Sequence, residues 1–123
     1  MRPQPAPVPR LGRREVFADT HFWLALTLAG DPWHEKAHRM REALSRARFT
    51  TTEAVLTEFL NFVSEYGPAV RTSMADFAGA LRSDPDVEII PVADGLFDAG
   101  LDLYKHRPDK EYSLTDCFSM VVM

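Results

Sequence analysis

The sequence predicts an α/β fold built on a parallel sheet. Two observations carry this. Short apolar or β-branched runs alternate with longer stretches of helical periodicity in the order βααβααβαα, and strands separated by helices pair in parallel, with helices covering both faces. Helix-start signals also fall directly behind expected strands: Asp19-Thr20 behind Val16-Phe17-Ala18, and Thr52 behind Arg48-Phe49-Thr50-Thr51.

Each element has its own reason. Val16-Phe17-Ala18 reads as a buried strand. Asp19-Thr20 opens an apolar helix over His21 to Ala29, which Gly30 stops. Asp31-Pro32 starts the next helix, whose apolar stripe is Trp33, Ala37, Met40, Leu44 and Ala47. After the strand at Arg48, Thr52 caps a helix with the stripe Val55, Phe59, Phe62 and Tyr66. Gly67-Pro68 ends that helix and begins another, with Val70, Met74, Phe77 and Leu81 inward. Asp84-Pro85 breaks the chain, and Val87 to Val92 is a strand rich in β-branched residues. Asp94 caps a helix from Gly95 to about Tyr104; Arg107-Pro108-Asp109 is a loop, and Ser113 opens the last helix.

Composition narrows the function. With 123 residues the chain fits one domain, large enough to fold without disulfides or structural metal. A single cysteine, Cys117, excludes an internal disulfide framework and suits a reducing compartment, so the expected location is cytoplasmic. No apolar run reaches the length of a membrane span; the longest is Phe22 to Ala29. The first 14 residues hold four arginines and no acid, and their alternating prolines predict a flexible tail, with the domain spanning 15–123. The overall charge of −4 therefore hides a balance of −8 in that domain, from 10 basic and 18 acidic residues. Such a body does not grip nucleic acid by bulk charge, but clustered carboxylates suit divalent cations. At the other end the chain stops inside an apolar helix, Val121-Val122-Met123, which predicts a domain incomplete at its C-terminus.

Three acids stand out. Asp19 lies at the carboxyl end of the first strand, the edge where open α/β sheets bind ligands, though an N-cap alone accounts for a lone Asp. Glu58 borders the apolar stripe of its helix, between Val55 and Phe62, and a carboxylate there needs a cation or a hydrogen bond; Asn61 is placed to orient it. Asp116 ends Ser113-Leu114-Thr115-Asp116, a capping-box pattern at the start of a helix. If the three converge they offer hard oxygen ligands for Mg²⁺ or Mn²⁺, which lower the pKa of a bound water and neutralise a phosphodiester oxygen.

Other motifs carry less. His34-Glu35-Lys36-Ala37-His38 is a literal H-E-x-x-H, with Glu53 or Glu58 available as a third zinc ligand. Its place in the first turn of a helix points instead to solvated histidines beside the buried stripe. Lys105, His106, Arg107 and Lys110 form a small basic patch ahead of Asp116, able to meet a phosphate backbone or simply solvate a loop. Cys117 reads as a small buried hydrophobe. Glycine-rich nucleotide-binding loops are absent from the sequence.

Three blocks carry a family resemblance: Val16-Phe17-Ala18-Asp19-Thr20; Thr51-Thr52-Glu53-Ala54-Val55-Leu56-Thr57-Glu58-Phe59-Leu60-Asn61; and Tyr112-Ser113-Leu114-Thr115-Asp116-Cys117. Over residues 16–123 the chain resembles PIN-domain proteins of the type of VapC-like toxins in type II toxin–antitoxin systems. The resemblance implies a three-layer α/β/α PIN-like fold with a mainly parallel sheet, its last strands missing here. It implies a Mg²⁺- or Mn²⁺-dependent endoribonuclease that hydrolyses tRNA or ribosomal RNA with a metal-activated water. Asp19, Glu58 and Asp116 match the acidic ligands, and Thr20 and Ser113 match hydroxyl positions near the metal. It further implies a homodimer and an antitoxin whose tail enters the acidic groove. A fourth acidic position of the family lies beyond Met123. The alternative expectation is therefore a catalytically weak or inactive PIN fragment, acting only through antitoxin or self-association.

Overall fold

The computed structural model describes residues 13–123. Three strands, β1 (Glu15–Phe17), β2 (Arg48–Thr52) and β3 (Val87–Ile90), form one sheet in the order β1-β2-β3. Both pairings are parallel, with Val16 opposite Phe49 and Thr51 opposite Ile89. Six helices fill the connections among the described residues: α1 (Thr20–Thr27), α2 (His34–Ala43), α3 (Glu53–Val63), α4 (Pro68–Ser83), α5 (Asp94–His106) and α6 (Leu114–Val122). The expected element order and the parallel α/β class are both present.

Side chains settle most boundaries. The Asp19 carboxylate accepts from the Phe22 amide at 2.9 Å, and the Thr52 hydroxyl accepts from the Val55 amide at 3.0 Å. Thr52 is thus both the last residue of β2 and the cap of α3, so strand passes into helix with no loop. Ser113 and Asp116 form a reciprocal capping box, each accepting from the other's backbone amide at 3.0 Å. Gly67 takes a φ of 99°, a conformation that favours glycine, and Pro68 follows at the first turn of α4.

Some boundaries differ from the sequence reading. β3 ends at Ile90, two residues early, because Pro91 cannot donate to a ladder. Asp94 lies inside α5 rather than capping it; the cap position belongs to Ala93, and Asp94 contributes negative charge to the first turn. Asp31 accepts from the Trp33 amide at 2.8 Å, so Asp31-Pro32 forms a turn and α2 starts at His34. The expected tail falls, for residues 1–12, outside the described residues. Arg13 and Arg14 are held to the sheet: Arg13 pairs with Asp86 at 2.5 Å, and the Arg14 carbonyl accepts from the Arg48 amide.

The main core joins α1, α3 and α4 to β2. Trp23, Phe59, Val55 and Val63 are almost wholly buried, and Trp23 and Phe59 each meet the Phe77 ring edge-on, with centroids 5.8 and 6.0 Å apart. The α4 stripe faces inward as expected: Leu81 is buried, and Val70, Met74 and Phe77 pack on the core. The stripes of α2 and α3 need correction. Trp33 and Met40 are exposed, as are Phe62 and Tyr66, and α3 buries Val55, Leu56, Phe59 and Val63 instead. The helical period shows which residues share a face, and packing partners decide how much of that face is covered.

Beneath this core sits a buried polar bridge. The Thr51 hydroxyl, fully buried at the end of β2, donates to the Ala18 carbonyl at 2.9 Å and accepts from the Trp23 indole N–H at 3.3 Å. It ties the end of β1 and the body of α1 to the neighbouring strand. Elsewhere, α5 and α6 pack closely through Gly100. A Cβ built there would stand 2.3 Å from the Phe118 ring.

Two stability predictions follow from these contacts. Thr51→Val keeps the shape but strands a carbonyl and an indole N–H, and should cost about 2–4 kcal/mol in urea unfolding; a loss well below ~1 kcal/mol would mean the bridge is dispensable. Gly100→Ala forces Phe118 aside and should lower stability by about 1–3 kcal/mol, whereas an unchanged melting temperature would show that the α5–α6 contact relaxes freely.

Candidate functional site

The carboxyl ends of the parallel strands lie on one sheet edge, and the helices that start there carry the candidate residues. Asp19 and Thr20 stand at the β1–α1 junction. Glu58 lies one turn beyond the start of α3, and Ser113 and Asp116 stand at the start of α6. At β3 the edge is tied back to α3 by Glu53, whose carboxylate accepts from the Val92 amide at 3.0 Å.

Four of the six expected residues meet around one open cleft. Thr20, Glu58, Ser113 and Asp116 line a space of about 830 Å³, together with His21, Leu24, Phe62 and Tyr66. Thr20 is buried, and its hydroxyl donates to Glu58 Oε1 at 2.5 Å. This bond holds Glu58, which is half-buried, against the end of the first strand. Asn61 does not share the bond; it lines a neighbouring cleft of about 640 Å³ with Glu53, Thr57 and Glu58. Asp19 is exposed and is not among the residues lining the larger cleft.

Asp19 and Asp116 combine two roles in their geometry. Asp19 uses Oδ1 to cap α1, and Asp116 uses Oδ2 in the capping box. Each leaves its other carboxylate oxygen outside that bond, so a structural cap and a ligand role do not exclude each other. Among the described residues no three His, Cys, Asp or Glu side chains stand together as a site for one metal ion. The donors present nonetheless suit a hard cation. Glu58, Asp116 and the two hydroxyls are all oxygen donors, and Mg²⁺ is commonly held by one or two carboxylates with waters and substrate phosphate completing its shell.

Two features lay beyond sequence reasoning. Phe62 and Tyr66 line the cleft with centroids 6.0 Å apart, where a simple stripe assignment places them in the core. The H-E-x-x-H histidines are also not free solvated side chains. His34 Nδ1 lies 2.8 Å from the Ala25 carbonyl, and His38 Nε2 lies 3.1 Å from the Leu26 carbonyl. These carbonyls belong to the last turn of α1, where helix oxygens lack intrahelical partners. The pair thus caps α1 from α2, with the rings edge-on at 4.5 Å. The signal for this was present only in the spacing, which puts both rings on one face of α2.

Cys117, buried beside Asp116 in α6, is the small buried residue expected. Burial pushes its thiol pKa up, and the Asp116 carboxylate adds to the shift.

This architecture is that of a PIN-like α/β protein. The resemblance to VapC-like toxins holds in the comparison with solved structures. The chain superposes on the crystal structure of VapC20 from Mycobacterium tuberculosis, a toxin that cleaves the sarcin-ricin loop, with a TM-score of 0.75 and 29% identity, covering 88% of this chain and 80% of that one. No protein-family model matches the chain, and no curated protein does. Among the described residues no helix is long and apolar enough to cross a membrane.

The buried thiol yields a prediction. A thiol reagent should label Cys117 only when the chain is unfolded. Because burial raises the folded thiol's pKa above that of the unfolded chain, stability should fall as pH rises through the unfolded thiol's range; rapid labelling of the native chain would contradict this burial.

Proposed function

We propose that the chain is a divalent-metal-dependent endoribonuclease, the toxin of a toxin–antitoxin pair, acting on structured RNA in the cytoplasm. The observation that carries the reading is the shared cleft of Thr20, Glu58, Ser113 and Asp116. The likeness to a sarcin-ricin loop cleaving toxin supports it and makes ribosomal RNA the first substrate to test, with tRNA the other class.

Glu58 and Asp116 would hold Mg²⁺ or Mn²⁺, with Asp19 adding charge at the same sheet edge. Such an ion, when bound, makes water a stronger acid at neutral pH and offsets the charge on a phosphodiester oxygen. The chain's own residues do the positioning. Thr20 fixes one oxygen of Glu58 and leaves the other to face a ligand. The capping box fixes Asp116 in the same way. The N-terminal amides of α1 and α6 add positive potential where an RNA phosphate would lie. A cognate antitoxin and a homodimer belong to the same reading.

A second reading is favoured by one observation, the lack of a three-carboxylate cluster among the described residues. In it the chain keeps the fold and binds an antitoxin or a second copy with little or no hydrolysis.

Asp19→Asn separates structural from catalytic roles. Asn caps helices about as well as Asp, so stability should hardly change. Cleavage of a sarcin-ricin loop RNA in Mn²⁺ should fall at least about a hundredfold, and Glu58→Gln should do the same. Cleavage equal to wild type in both variants would remove Asp19 and Glu58 from the site, and a folded wild-type chain that leaves the RNA intact in Mn²⁺ would defeat the nuclease reading. A folded wild-type chain that binds no Mn²⁺ by calorimetry would favour the second reading.

A further inference from the structure

An acidic body acting on a polyanion needs a local cationic foothold, and the fold builds one beside the acidic cleft. Lys105, Arg107, Lys110, Tyr104 and Tyr112 line a separate cleft of about 750 Å³ where α5 leads into α6. All five side chains are exposed, and the tyrosines are 52% and 38% accessible. Apolar rings left this open are available for stacking. The acids nearby neutralise only part of the charge. Glu111 lines the cleft, and Asp109 pairs with Arg107 at 3.7 Å and with Lys110 at 4.0 Å, both long, solvent-exposed contacts of small energetic value. Lys105 has no ion-pair partner among the described residues, and His106 turns to Asp102.

Position completes the argument. Tyr112 precedes Ser113, the cap of α6, and stands four residues before Asp116. Four residues span at most about 14 Å, so a strand whose phosphate sits at Asp116 passes Tyr112, which shares its cleft with Tyr104, within a few nucleotides. Unpaired RNA bases stack on aromatic rings while Lys and Arg take the phosphates.

Resting on the nuclease reading, we propose that this cleft anchors the single-stranded RNA flanking the cut, with Lys105, Arg107 and Lys110 on phosphates and Tyr104 and Tyr112 stacking on an unpaired base. Charge complementarity favours RNA over a protein partner here: the cleft is cationic and aromatic on a domain whose balance, these three cations included, is −8.

The test uses the full chain and a fluorescent sarcin-ricin loop RNA. Binding is read by anisotropy in EDTA across a salt series, and cleavage is read in Mn²⁺. The combined variant Lys105→Gln, Arg107→Gln, Lys110→Gln should flatten the slope of log affinity against log salt by about 2. It should raise KM about tenfold or more and leave kcat nearly unchanged. Tyr112→Phe should bind as wild type, while Tyr112→Leu should lose about tenfold. Glu58→Gln should lose cleavage yet keep binding and its salt slope, so the failure of catalysis and the failure of anchoring are separable. An unchanged slope and affinity in the triple variant, its melting temperature matching wild type, would overturn the proposal. So would loss of affinity for a poly-glutamate peptide with RNA binding intact, which would assign the cleft to an acidic protein partner.

Discussion

One buried hydroxyl holds the working edge of this protein together. Thr51 reaches from β2 to the last carbonyl of the β1 segment and to the indole of α1. Beside it, the β1–α1 junction is held by three pairs of a short parallel ladder, by the Ala18 amide donating to the Thr50 carbonyl and by the Thr20–Glu58 bond. Thr20 sits one residue beyond Asp19 at that junction, and its hydroxyl is the bond partner of Glu58. The position of the candidate carboxylate on α3 therefore depends on a threonine that has no chemical role. Threonine suits the task because it packs as a β-branched residue in a strand and still donates and accepts one hydrogen bond each.

Capping and candidate function share the same side chains. Asp19 and Asp116 each spend one carboxylate oxygen on a helix N-terminus. The cap fixes the rotamer, so the second oxygen is held without further support. A helix end also offers positive potential, which favours a carboxylate and an RNA phosphate alike. The geometry therefore leaves room for a ligand role beside the structural one at Asp19 and Asp116.

What was legible in the sequence were the features set by neighbours in the chain. Caps at Asp19, Thr52 and Ser113, the Gly67-Pro68 break and the inward stripe of α4 were all readable, because each depends on residues within a turn of one another. Features set by distant partners were not. Phe62 and Tyr66 fit the α3 stripe by period, yet both are exposed, with no helix over them among the described residues. The two histidines of α2 showed an i, i+4 pair, but nothing local reveals that the carbonyls of Ala25 and Leu26 lie opposite them. For the candidate site, the three acids were legible one at a time. The gathering of Glu58 and Asp116 around one cleft follows from the packing of α6 against α3, which no local pattern encodes.

The parallel sheet also has a kinetic consequence. Val16 pairs with Phe49, and Phe49 with Val87, so each strand must wait for more than thirty intervening residues before it can pair. Among the described residues no hairpin is available to start the sheet. Helices form within their own turns, whereas sheet closure brings distant segments together against chain entropy. The acidic cleft lies at the edge that closure creates. Any partner that reads this cleft therefore engages only chains whose sheet has closed, because that pairing brings the end of β1 and the start of α3 together.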